Sequence, residues 1–232
     1  AHDKKPAMER FLTPSALARC LPFVLFMALL AIRGNLPVDA SAVDPRWVYG
    51  VSVLVVSGSL AWFWRKYGEL LRAHWLTLPE LLLSVGVGVL VYYLWVNMDT
   101  PWMMVGTPTA SFKPIDANGD PMWGLIVIRW VGAALMVPVM EELFWRSFLM
   151  RWVDNPDFEK VDARAVTFKA MLMSSCVFAM AHTLWLAAIV AGLLYAWLYK
   201  RTGKLWAPIV AHAVTNGLLG FWVVMMGQWQ FW

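Results

Sequence analysis

Six residues in the second half of the chain are of types that do chemistry and lie in apolar surroundings: Glu141, Glu142, Arg146, His182, His212 and Asn216. A carboxylate at the centre of a membrane helix costs about 2.5–3.5 kcal/mol on insertion scales, so an intramembrane one is a functional signal by default. The chain has fifteen acidic residues, and only Glu141 and Glu142 fall well inside an apolar run. From Ala163 to Trp232 there is no carboxylate at all. Helical spacing separates the two glutamates. Glu142 and Arg146 are i,i+4, share a helix face and can form an ion pair. Glu141 is turned about 100° away on an ideal helix. It is therefore left free to act on something else, as a general base would. Pro138 just upstream removes a backbone donor and frees the carbonyl of Ala134, which predicts a kink beside the pair.

The histidines sort by position. His2 and His74 lie in hydrophilic segments, whereas His182 and His212 lie in apolar ones. Phe178 and His182 are i,i+4, which places an aromatic ring beside the imidazole. His212 and Asn216 share the same spacing, so both can point at one spot. Two donors converging on a point are what an oxyanion hole needs. Each feature taken singly also has a bland reading: a lone His or Asn in a bundle as interhelical glue, and Glu142–Arg146 as a buried structural pair. Their joint occurrence in the most apolar half favours catalysis. Competing nucleophiles fit less well. Ser175 is two turns from His182, about 10.5 Å along the axis, and Cys176 is rotated off that face. Glu with two His can ligate zinc, but the spacing lacks HExxH. Zinc stays the lesser alternative, and no cofactor or metal is expected.

These residues need elements to hold them. The 232-residue chain is 60% hydrophobic, with a mean hydropathy of +0.59 and 15% charged residues. A soluble domain carries about 25% charged residues, so the composition excludes an ordinary soluble fold. Sixteen Trp suit rings at membrane interfaces. The net charge of +4, without a long basic run, argues against a nucleic-acid partner. Cys20 and Cys176 have neither CxxC nor zinc-ligand spacing. The expected fold is all-α: one transmembrane domain over residues 1–232, a multi-pass helix bundle with about seven spans (six to eight). They fall near 16–32, 47–64, 80–97, 123–150, 165–183, 185–199 and 205–226, given that about 20 apolar residues cross a bilayer as helix. Arg19 in the first would have to snorkel. Thr77 with Glu80 reads as a capping box opening the third. The run Asp116-Ala117-Asn118-Gly119-Asp120 reads as an Asn-Gly turn rather than a calcium loop.

Basic residues set an orientation. Lys4, Lys5 and Arg10, then the 65–79, 151–164 and 200–204 loops, carry more Lys and Arg than the loops between them. The positive-inside rule puts the N-terminus in the cytoplasm. The same N-terminal charges, the apolar run Cys20–Ile32 and Ala40-Ser41-Ala42 also have the form of a signal peptide. The small residues lie far past the apolar run, so an uncleaved first span is expected.

Glu141-Glu142-x-x-x-Arg146, Phe178-x-x-x-His182 and His212-x-x-x-Asn216 together resemble the three-motif signature of the CAAX-protease and bacteriocin-processing family, which includes the Ras-converting CAAX endopeptidase. Thr202-Gly203-Lys204-Leu205 resembles that family's short turn before its last motif. The resemblance covers about residues 138–217. The chain's size and the residues Leu21-Pro22-Phe23 look similar to a bacterial branch, the CAAX prenyl protease-related proteins associated with exosortase systems. The resemblance implies a glutamate-type intramembrane endopeptidase of the bacterial inner membrane. Glu141 and His182 would activate a water, and His212 and Asn216 would stabilise the oxyanion. Glu142 and Arg146, with Phe178, would support the site. The implied substrate is a membrane-associated protein or peptide, and the prenyl-CAAX substrate itself does not transfer.

Two other readings compete: an accessory or scaffold subunit of a larger membrane complex, and a transporter using Glu141 as a proton site. Depth also poses a test. With span four starting at Trp123, Glu141 lies about 27 Å along it; with span five starting from the opposite side at Ala165, His182 lies about 25 Å along that one. Straight spans with these boundaries keep the two apart, so catalysis requires that His182 not end a straight span.

Overall fold

The computed structural model describes residues 13–36, 44–106 and 112–232. Lys4, Lys5, Arg10 and the Ala40-Ser41-Ala42 triplet lie outside the described residues. Seven helices follow one another among the described residues: α1 Pro14–Asn35, α2 Val48–Trp62, α3 Leu78–Asn97, α4 Trp123–Asp154, α5 Phe168–Ala179, α6 Trp185–Thr202 and α7 Trp206–Met226. Short 3₁₀ turns join several of them, and the only strand-like pairing described is an isolated bridge between Ile115 and Pro121. The all-helical, multi-pass bundle is as expected. Four helices, α1, α3, α4 and α7, are long and apolar enough to cross a membrane. The outward faces of the bundle carry large bare apolar side chains: Leu54 on α2, Leu82 on α3 and Leu135 on α4 are each more than 60% exposed. That suits a surface solvated by lipid rather than water. Exposed Trp62, Trp102 and Trp123 sit at or beside helix ends, where amphipathic rings meet the interface.

Local chemistry explains the helix limits. Thr13 caps α1 by accepting from Ala16 N–H, with Pro14 in the first turn where it forfeits no internal bond. The expected capping box opens α3: Glu80 Oε2 accepts from the Thr77 N–H at 2.8 Å. Thr167 caps α5. Gly203 ends α6 with φ +70°, a left-handed cap that frees residues 204–205 to turn straight into α7. The 116–120 segment is the expected turn. Asp116 Oδ1 accepts from Asn118 N–H and Asp120 N–H, and Gly119 takes the positive φ.

Arg19 does not snorkel. It is 3% exposed and reaches back into the bundle, where both its Nη2 and its Nε bond the carboxylate of Glu69 at 2.7–3.0 Å. Ser147 of α4 joins the same cluster. Burial pushes the Glu69 carboxyl up, but Arg19 and the Ser147 hydroxyl outweigh it and hold it below the ordinary glutamate range. A carboxylate in the 65–79 loop thus supplies the partner, which hydropathy could not reveal.

α4 departs from a plain helix. π-helical turns at Gly132–Met136 and Leu143–Met150 flank its central α segment Val137–Glu142. Val137 N–H bonds Gly132 O, an i→i+5 register. In that register the carbonyl that Pro138 cannot serve is Ala133 O rather than Ala134 O. Asn216 of α7 supplies the missing donor, its Nδ2 lying 2.8 Å from Ala133 O.

α3 and α7 pack against each other, and Gly88 lets them approach closely. A Cβ there would press on the Ala211 carbonyl and on Val214. Gly86, two residues earlier, faces open space. Gly88→Ala is expected to destabilise the protein by about 1–3 kcal/mol through overpacking, whereas Gly86→Ala is expected to be neutral or slightly stabilising. Thermal unfolding in detergent compares the two; equal midpoints would contradict this packing.

Candidate active site

The site forms where α4, α6, α7 and the turn after α5 meet. Glu142 has no exposed surface and Arg146 is 1% exposed. Arg146 Nε stands 3.2 Å from Glu142 Oε2, the expected i,i+4 pair. The guanidinium lies between two rings, 5.0 Å from the Phe178 centroid and 5.4 Å from that of Tyr195. Its Nη2 also reaches the carbonyl of Gly192 at 3.4 Å. The other Glu142 oxygen, Oε1, is 2.8 Å from His212 Nδ1. Glu142 is thus more than Arg146's partner: it also fixes the His212 ring. His212 Nε2 in turn faces Glu141 Oε2 at 3.9 Å.

His182 lies in the turn beyond α5, not within the helix. Its Nδ1 is 2.8 Å from Phe178 O. A carbonyl only accepts, so Nδ1 carries a proton in this bond, and in the singly protonated ring Nε2 keeps its lone pair. Phe178 and Trp95 flank the ring, with centroids at 4.4 and 5.6 Å. Glu141, His182, His212 and Asn216 all line one cavity of about 90 Å³, roomy enough for water. His182 also lines a larger, open groove of about 440 Å³ with Val105, Met180 and Ile189.

The depth conflict disappears because α4 runs on to Asp154 and α5 hangs from that end. Asp154 accepts from both the N–H and the hydroxyl of Thr167, at 2.8 and 2.6 Å. From this shared end Glu141 is thirteen residues up α4, about 20 Å at helical rise, and α5 climbs twelve residues, about 18 Å, before the turn that carries His182. The two helices are therefore measured from one shared end, not from opposite membrane boundaries. A 32-residue helix is longer than the bilayer requires.

Sequence spacing brought out all six polar residues but missed Tyr195, Thr215 and Trp95. Tyr195 stacks on His212, with centroids 5.0 Å apart and planes 21° from parallel. Its hydroxyl bonds Thr215 Oγ1 at 2.8 Å, and Thr215 Oγ1 lies 2.8 Å from Gly88 O. Thr215 is three residues from His212, an i,i+3 signal that spacing could have shown; Trp95 on α3 left no such trace. Ser175 bonds the Met171 carbonyl of its own helix. Among the described residues no three His, Cys, Asp or Glu side chains are grouped to hold a metal.

Fold and site together define a multi-pass helical membrane protein with a glutamate–histidine centre buried between its helices. Residues 123–218 match the family described as type II CAAX prenyl endopeptidase Rce1-like, which supports the resemblance carried by the three motifs. The match begins at the first residue of α4 and includes all six polar residues of the cluster. It supports membrane proteolysis as the general activity. No curated protein and no solved structure matches the chain.

Removing Arg146 would leave Glu142 buried without its cation. Arg146→Ala is expected to cost about 3–5 kcal/mol and to lower the unfolding midpoint sharply. Glu141→Gln, which breaks no ion pair closer than 3.9 Å, should leave that midpoint nearly in place. Thermal denaturation of both variants checks this, and an Arg146→Ala midpoint like that of the unaltered protein would refute it.

Proposed function

We propose that this protein is an intramembrane endopeptidase that hydrolyses a peptide bond by a Glu141- and His182-activated water. The observation that carries the reading is the shared cavity: four side chains of complementary chemistry line one water-sized space inside a helical bundle. A water there gives one hydrogen bond to the Glu141 carboxylate and the other to His182 Nε2. As its oxygen attacks the scissile carbonyl carbon, Glu141 takes the proton. The oxyanion accepts from His212 Nε2–H and from the second N–H of Asn216, the first being held by Ala133 O. In that role the His212 ring carries both protons, with Nδ1–H donating to Glu142. When the C–N bond breaks, Glu141 returns its proton to the leaving amine. General acid–base action of this kind contributes about 10²–10⁴-fold, and two preorganised donors add to it.

The substrate in this reading is a membrane-associated protein or peptide. The open groove beside His182, walled by Val105, Met180, Trp185 and Ile189, suits an apolar stretch leading to the scissile bond. The motif resemblance points to the bacterial inner membrane, and loop charge points to a cytoplasmic N-terminus. No metal enters the scheme.

Glu141→Gln and His182→Ala are each expected to lower cleavage by at least about 10²-fold while the protein still accumulates in the membrane. Comparing membrane-protein termini between unaltered and Glu141→Gln cells reads this out and names the substrate. Unchanged termini would sink the peptidase and favour an accessory subunit. Activity should also survive 1,10-phenanthroline and EDTA; loss to both, restored by zinc, would overturn the metal-free scheme.

A further inference from the structure

A second charged feature lies at the opposite end of the α1–α4 pair from the Arg19–Glu69 cluster. Arg33 in the last turn of α1 and Arg129 in the second turn of α4 are both half-buried. Both guanidinium carbons stand 5.7 Å from the centroid of one ring, that of Phe112, and Arg129 also lies 4.5 Å from that of Tyr49. Among the described residues neither arginine has an ion-pair partner. Arg33 Nη1, Arg129 Nε and the Tyr49 hydroxyl are buried with no hydrogen-bond partner there. Asp44, the nearest described acid in sequence to Arg33, is held by Arg46 at 2.6 Å.

Two like charges brought to one aromatic ring repel, and guanidinium nitrogens removed from water are stabilised by an anion. Aromatic faces soften that cost but do not neutralise it. Every other buried arginine discussed above has its answer: Arg19 has Glu69, and Arg146 has Glu142. We propose that Arg33, Arg129 and the Tyr49 hydroxyl form a binding site for a phosphate group. Guanidinium forks match phosphate oxygens two at a time, and a phenol adds a neutral donor. Both arginines lie within two turns of a helix end on the same side of the bundle, the level at which phospholipid phosphates are found. The phosphate chemistry is shared by an anionic lipid headgroup and by a soluble phosphate.

The test uses the full chain in detergent micelles, titrated with phosphatidylglycerol, with diacylglycerol of the same acyl chains, and with inorganic phosphate. Native mass spectrometry counts bound ligand and thermal unfolding reports its effect. Phosphatidylglycerol is expected to bind at least tenfold better than diacylglycerol and to raise the midpoint, and R33Q/R129Q is expected to lose that preference. R33K/R129K keeps both charges should the glutamine pair fail to fold, and should retain binding at reduced affinity. Binding of inorganic phosphate with the same arginine dependence assigns the site to a soluble phosphate. Equal binding of diacylglycerol, no binding of either phosphate, or binding untouched by R33Q/R129Q would overturn the proposal. So would an Asp39→Asn variant, altered outside the described residues, that destabilises as much as R33Q/R129Q in a chain that binds no phosphate, since the arginines would then be neutralised within the chain.

Discussion

Glu142 has no accessible surface in the middle of an apolar bundle. An ionised carboxylate there is tolerable only if both oxygens are engaged by charge or hydrogen bond. Arg146 takes one side and His212 the other. Because Arg146 comes from the same helix and His212 from α7, that requirement ties α4 to α7 at one fixed register. Arg146 then needs its own surroundings, which Phe178, Tyr195 and the Gly192 carbonyl provide. One desolvated group thus recruits side chains from α4, α5, α6 and α7. Glu141, the neighbour that this network leaves out, is the one with a free approach to the cavity.

The π turns of α4 serve the same register. A proline in a helix deprives one carbonyl of its donor, and which carbonyl depends on the local winding. The wider turn shifts the loss to Ala133, within reach of Asn216. The defect on one helix and the polar side chain on another are two halves of a single bond. That bond orients the Asn216 amide and leaves its second N–H for another acceptor.

Much of this was legible from types and spacing. The helical class, the seven segments, the capping box at Thr77 and the Asn-Gly turn each follow from local chemistry with few competitors. The six polar residues stood out because charge and imidazole are rare in apolar runs. Less legible was whatever depends on two distant segments. Arg19 reads as a snorkelling side chain until Glu69 is known to fold back over it. Glu142 reads as Arg146's partner alone, because His212 lies seventy residues away. Tyr195 and Trp95 are ordinary aromatics in sequence and gain meaning only by what they stack against. Depth is hidden in the sequence for a related reason: helix length is local, but the plane from which it is counted is not.

The clasp between Asp154 and Thr167 fixes that plane within the protein itself. Glu141 is set along α4, and His182 just past the end of α5, at distances counted from this common anchor and not from the lipid boundary. α4 is longer than a bilayer core and will tilt or slide as membrane thickness changes. Such a movement carries α5 with it, because the anchor moves too. The two side chains are therefore levelled against each other like marks on a folded ruler, by an anchor within the chain itself.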